Sequence, residues 1–247
     1  MINILSAGFG FTLIAAGLLI VWYVRHRTAV ATAVAPSQVT ECEMLPVLAA
    51  ADLFAVTRTE GLLTIIQSKC GFSAEHFDRT VMQVLKAYAE FVQQLPAGAD
   101  HLGSPRGMLI HALKMADLAL TFRRGQILPK GAAPEDIMRL EHRWTYAVLV
   151  TALTRHVGKH ISDLHVTMYR EGSRVGERWA PLSGGIADCG AVRYSVRCVA
   201  KDKGQREHLL DGKLPVFLYH RLVPAEALWW LSNDHELTAE LMAVLAG

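Results

Sequence analysis

The chain lacks any close pair of cysteines. Cys42, Cys70, Cys189 and Cys198 are widely spaced, which excludes a zinc knuckle of the C-x-x-C kind and argues against a dense disulfide framework. Charge of one sign is scarce as well. A formal net charge of +2 over 247 residues is too small to indicate a nucleic-acid partner by itself, and only local basic clusters remain as candidates. A phosphate-cradling loop is missing, because Gly184 and Gly185 have no following helix at the spacing such a loop needs. Internal repeats are absent too, which excludes a repeat architecture.

What is present is apolar. A hydrophobic content of 51% suffices for a sizeable core in one globular domain plus an appendage. The appendage is visible at the start, where Ile4 to Val24 carry no charge and read as a transmembrane helix. A cleavable signal would place its positive charge before the run, and the small residues Ala31, Ala33 and Ala35 alone do not outweigh that. Arg25 and Arg27 follow the run instead, beside Trp22 and Tyr23 at interface depth, so the positive-inside rule puts the C-terminal side in the cytoplasm. The expected organisation is a single-pass inner-membrane anchor over residues 1–27, a small-residue linker over 28–43 broken by Pro36, and a cytoplasmic domain over 44–247.

Within the domain, helical periods dominate. Phe77, Val81, Val84, Leu85, Tyr88, Phe91 and Val92 fall on one stripe at a period of roughly 3.6. Pro105 opens a second expected helix with Met108, His111, Met115, Leu118 and Phe122 on one face, closed by Arg123, Arg124 and Gly125. A third begins at Pro134, with Glu135 and Asp136 complementing its dipole, and is expected to run through Arg155 and His156 until Gly158 stops it. The period then changes. Val192, Tyr194, Val196 and Cys198 alternate with Arg193, Ser195 and Arg197, the pattern of a half-buried strand with a basic outer face, and Gly172 suits a preceding hairpin. Three short helices close the chain: one ending near Arg221, one opened by Pro224, and one capped by Asn233 with Glu236 three residues on. The fold class is therefore mainly α with a small β-hairpin and strand region.

The base-rate reading of the remaining polar residues is structural. Arg123 and Arg124 read as a helix C-terminal pair, with DNA contact as the alternative. Arg193 and Arg197 solvate a strand edge or, with Lys201 and Lys203, contact a phosphate backbone. His160 and His165 read as surface residues, and Trp229 and Trp230 as core and helix packing.

One stretch carries more. A helical His111, followed by a helix that ends in polar residues and "VGK", has the layout of the HD phosphohydrolases, in which a helical His and a later His-Asp dyad hold a divalent metal. The segments "LPAGADHLGSPRGMLIHALKMADLALTFRRGQILP", "RWTYAVLVTAL", "VGKHISDLHV", "RWAPLSGGI", "LYHRLVP" and "WWLSNDHEL" resemble the N-terminal domain of MobH-class conjugative relaxases, the TraI type of integrating elements. The resemblance runs from about Met44 through the tail motifs. It implies an HD-like helical fold, a role in conjugative DNA transfer, and histidines concerned with metal binding and DNA nicking.

Carried over residue by residue, His111 in "GMLIH" matches the motif histidine, and His101 matches the start of an upstream cluster whose next position is Leu102. The dyad differs. Where the family reads "L-L-H-D-I-G-K", this chain has Leu153, Thr154, Arg155, His156, Val157, Gly158 and Lys159, so a guanidinium with no lone pair stands in place of a ligand. Two outcomes follow. His101, His111, His156 and Asp163 could form a relocated divalent-metal site, or Arg155 could take the metal's space and bind phosphate directly. The expected function is an accessory or scaffold component with weak or no catalysis, the alternative being an active metal-dependent phosphohydrolase or nickase. Its expected partners are the inner membrane, DNA and other conjugative-transfer proteins. The chain carries no helicase-like segment, so any handling of DNA is expected to rest on this domain or on those partners.

Overall fold

The computed structural model describes residues 44–97, 104–198 and 208–246. The apolar run Ile4 to Val24, the linker and His101 lie outside them. No helix among the described residues is long and apolar enough to cross a membrane.

The domain is mainly helical with one small antiparallel sheet. In chain order it contains β1 (Leu45–Pro46), α1 (Ala50–Phe54), α2 (Thr57–Cys70), a single turn at Ala74–His76 leading through a π-helical turn (Phe77–Val81) into α3 (Met82–Val92), α4 (Gly107–Arg124), α5 (Pro134–Thr154), α6 (Val157–Ser162), β2 (Leu164–Tyr169), β3 (Glu177–Arg178), β4 (Arg193–Cys198), α7 (His208–Leu222), α8 (Ala225–Ser232) and α9 (His235–Ala246). The strand order is β1-β4-β2-β3.

Each apolar stripe finds a partner. Phe77, Val81, Val84, Leu85, Tyr88, Phe91 and Val92 are all buried, as their period requires. The π turn absorbs one extra residue per turn without breaking that stripe. α4 packs against α2 and α5, and α9 packs against α5 and α7. In α4 the buried set is broader than expected, because neighbours on several sides also cover Leu109, Ala112, Leu113, Ala116 and Leu120. Phe122, assigned to the inward face, is instead 40% exposed.

Two polar clusters join the helices to the sheet. The Gln93 side chain accepts from the Leu48 amide at 2.8 Å and donates to the Leu48 carbonyl at 2.9 Å. The Gln94 amide donates to the buried Tyr194 hydroxyl at 2.9 Å. These bonds pin β1 and β4 to the end of α3, in a region where an unpaired amide would be costly. The second cluster contains the segments "RWAPLSGGI" and "LYHRLVP". The Trp179 indole donates to the Gly184 carbonyl at 2.9 Å, and the Asp188 carboxylate accepts from the Gly185 amide at 2.9 Å and from Arg221 at 2.8 Å. Gly184 has φ +139, and a Cβ there would meet the Arg221 guanidinium at 2.8 Å. The conformation requires glycine, and a side chain there would also displace the Arg221 guanidinium from Asp188. These segments hold the architecture together.

Several local expectations are corrected. Pro105 precedes the helix, whose first residue is Gly107 and whose preceding residue, Arg106, is left-handed at φ 66. Gly158 does not stop α5; the chain breaks at Arg155 and His156 and re-enters helix, with Gly158 inside α6. The last helix is capped by Asp234, whose carboxylate accepts from the Leu237 amide at 3.0 Å, not by Asn233. Ser195 is buried among its cross-strand neighbours, and Trp229 is 70% exposed. Trp230 does pack, under the Arg143 guanidinium at 5.5 Å. The hairpin is as expected, with β2 and β3 antiparallel and Gly172 at φ +69 in the turn.

Candidate functional site

α4 carries His111 one turn from its start, and the break between α5 and α6 brings His156 and His160 against it. The His111 and His160 rings meet edge to face with centroids 4.8 Å apart, and His156 stands 6.2 Å from His111. The break makes this possible. Arg155 and His156 separate α5 from α6, and His160 on α6 lies against His111. His160, read as a surface residue from its sequence, is therefore part of the cluster. No helical period predicted that, because residues 156 and 160 were assigned to different elements.

Burial dominates the electrostatics. It pushes His111 down to about 3, reinforced by His160, His156, Lys114 and Lys159. It pushes His156 down to about 4, reinforced by Arg155, His160 and Lys159. Both rings are neutral at pH 7. Among the described residues, the charged groups that act on the two rings are Lys114, Lys159 and Arg155, besides the histidines themselves.

Arg155 does not turn toward the histidines. Its guanidinium is half-buried and donates to the Val244 carbonyl of α9 at 2.5 Å. At the end of β4, burial raises the Cys198 thiol, and Asp163, which follows α6, raises it further. Arg193 and Arg197 are exposed on β4, paired with Tyr169 and His165 of β2. Arg178, paired with Thr167 of β2, joins them on the same sheet face, a third arginine that sequence alternation could not assign. Arg123 is not part of any surface patch. It is 7% exposed and donates to the Gln126 carbonyl at 2.9 Å.

The residues that the resemblance assigns to a divalent metal do not fit one among the described residues. Two neutral imidazoles could donate lone pairs, but the groups around them are Lys114, Lys159 and Arg155. No group of three or more His, Cys, Asp or Glu among the described residues is arranged to hold a metal ion. Among the described residues, a dication there would meet Lys114 and Lys159, unlike the carboxylate-rich shell that hard metals require.

A family model, TraI_2, described as "Putative helicase", matches residues 45–247. No curated protein matches the chain. The match takes in every helix and strand of the described fold, the histidine cluster and the Asp188–Arg221 clamp included. The chain belongs to the TraI_2 family, and residues 45–247 form a domain related to the TraI-type conjugative relaxases.

Proposed function

We propose that this chain is a membrane-anchored relative of the MobH relaxase N-terminal domain, serving conjugative DNA transfer as an accessory component through an HD-like motif that no longer supports efficient phosphodiester hydrolysis. Residues 1–27 anchor it in the inner membrane, residues 28–43 link, and residues 44–247 work in the cytoplasm. The observation that carries this reading is the pair of buried rings at the altered dyad: the His111 and His156 ring centroids lie 6.2 Å apart, and the charged groups acting on them among the described residues are basic. Hydrolysis of a phosphodiester by a metal-activated water needs an ion whose charge is compensated by its ligands. Here the ligand positions supply neutral rings, and the aspartate position supplies His156.

The test is genetic complementation of DNA transfer. A donor lacking the chain should transfer poorly and regain transfer from His111→Ala and His156→Ala variants that accumulate to normal levels. Stable accumulation of both variants with transfer as low as in the deletion would instead favour a working metal-dependent nickase.

A further inference from the structure

We propose that the outer face of the sheet docks on the anionic lipid surface of the bilayer that holds the anchor, an inference that rests on the membrane anchor proposed above. The register defines the face. Thr167 of β2 stands between Arg178 of β3 and Ser195 of β4, and Arg193 and Arg197 alternate with Ser195 onto the same side. All three arginines are exposed, and none takes part in an ion pair among the described residues. Their partners on β2 across this face, His165, Thr167 and Tyr169, include no carboxylate, so no described strand residue on the face offsets the charge. The opposite face is buried through Leu164, Val166, Met168 and Tyr194, which leaves the basic one for a partner.

Two further features select a bilayer as that partner. Met44, the residue before β1, and Val175, in the turn between β2 and β3, are 41% and 76% exposed. Exposed apolar side chains bordering a cationic patch suit a headgroup boundary, where the apolar groups reach the acyl edge and guanidinium groups meet lipid phosphate. The second feature is the point of entry. Pro46 of β1 pairs with Arg193, and β1 is the first element of the domain, so the linker that follows the proposed anchor joins the domain at the border of this face. Residues 28–43 can extend no further than about 58 Å, and such a tether holds the face at a high effective concentration of headgroups. Each arginine brought to an anionic surface strengthens binding by about five-fold. Three suffice to dock a face already held close.

The test is arginine footprinting with phenylglyoxal, read residue by residue by mass spectrometry, on the full-length chain in nanodiscs. One set of discs is phosphatidylcholine alone, and the other contains about 30 mol % phosphatidylglycerol. In the anionic discs Arg178, Arg193 and Arg197 should react at least about five-fold more slowly than in the neutral discs, while Arg79 and Arg139, exposed on helices, should not change. Raising salt to about 0.5 M should remove the protection. Arg193→Gln combined with Arg197→Gln should return Arg178 to its neutral-disc rate while the circular dichroism stays native. Equal rates in both discs, protection that extends to Arg79 and Arg139, or undiminished protection of Arg178 in the double variant would overturn the docked face, and incorporation of the chain into the discs would then still uphold the anchor. A chain that enters neither disc overturns the anchor and the docked face together. Protection by a DNA duplex in neutral discs, with none from phosphatidylglycerol, would assign the face to nucleic acid instead.

Discussion

A guanidinium nitrogen of Arg155 lies 2.5 Å from the carbonyl oxygen of Val244 and so ties the turn after α5 to the last helix of the domain. Arg155 thus acts as a strut. A hydrogen bond from a charged donor is worth about 1.5–3 kcal/mol when desolvated, and half-burial puts this one near the lower end. Arg155→Met should therefore lower unfolding stability by about 1–2 kcal/mol in urea titrations. Amide exchange should accelerate first in α9. Unchanged exchange in α9 would show that the strut carries no load.

The histidine cluster makes stability depend on pH. His111 and His156 titrate at about 3 and about 4 in the folded protein, below the value of about 6.5 in an unfolded chain. The unfolded chain binds more protons between those limits. Stability is thus fully present above about pH 6.5 and falls as pH drops toward 4, by at most about 1.4 kcal/mol per pH unit for each ring. His111→Asn combined with His156→Asn should flatten the acid limb of the stability profile. Histidine ring resonances that titrate near 6.5 would refute the burial argument.

Asp188 behaves in the opposite sense. Its carboxyl is held below the usual carboxylate range, first by the hydrogen bond from Arg221 and then by the Gly185 amide, against an opposing effect of burial. Its contribution is present at neutral pH and is lost as pH falls through the depressed folded value. The pair is partly exposed, so Asp188→Asn should cost no more than about 0.2–1 kcal/mol at pH 7. The cost should vanish as pH falls through the depressed folded value, and a cost independent of pH would assign the effect to packing alone.

Binding to duplex DNA, if driven by the basic sheet face, should be electrostatic and mostly indifferent to sequence. Arg178, Arg193 and Arg197 share that face, whereas Arg123 is buried and takes no part. Each lost phosphate contact should reduce the slope of log affinity against log salt by about 0.9. Arg193→Ala and Arg197→Ala should each do so in gel-shift titrations, and Arg123→Met should not. A shallow slope with strong preference for one sequence would contradict this account.

Much of the fold was legible because apolar stripes declare their own partners. The Phe77–Val92 stripe, the Pro134 start of α5 and the hairpin at Gly172 all follow from period, dipole and turn chemistry. Where the reading failed, a non-local contact decided the matter. Gly158 looks like a helix stop, but the chain breaks earlier, at Arg155 and His156, and Arg155 is held there by Val244 from the far end of the sequence. Arg123 looks like a surface charge at a helix end, yet α5 lies over it and its Glu141 carbonyl accepts from the guanidinium. Of the expected site residues, His111 and His156 are brought together, with ring centroids 6.2 Å apart. His160 joined them only through the turn between α5 and α6, which no local pattern encodes.

On the proposed function, Arg155 and His156 leave the chain without metal-dependent phosphodiester chemistry. The most direct measurement is the metal content of the full-length chain, purified without chelators, read together with cleavage of supercoiled DNA. Lys114 and Lys159 act on His111, and like charge at that range would repel a dication held by the ring. The unmodified chain should hold far less than one equivalent of any divalent metal and leave DNA intact, while the double variant Arg155→His with His156→Asp gains metal. A full equivalent of metal with DNA cleavage in the unmodified chain, both lost on His111→Ala, would contradict the account.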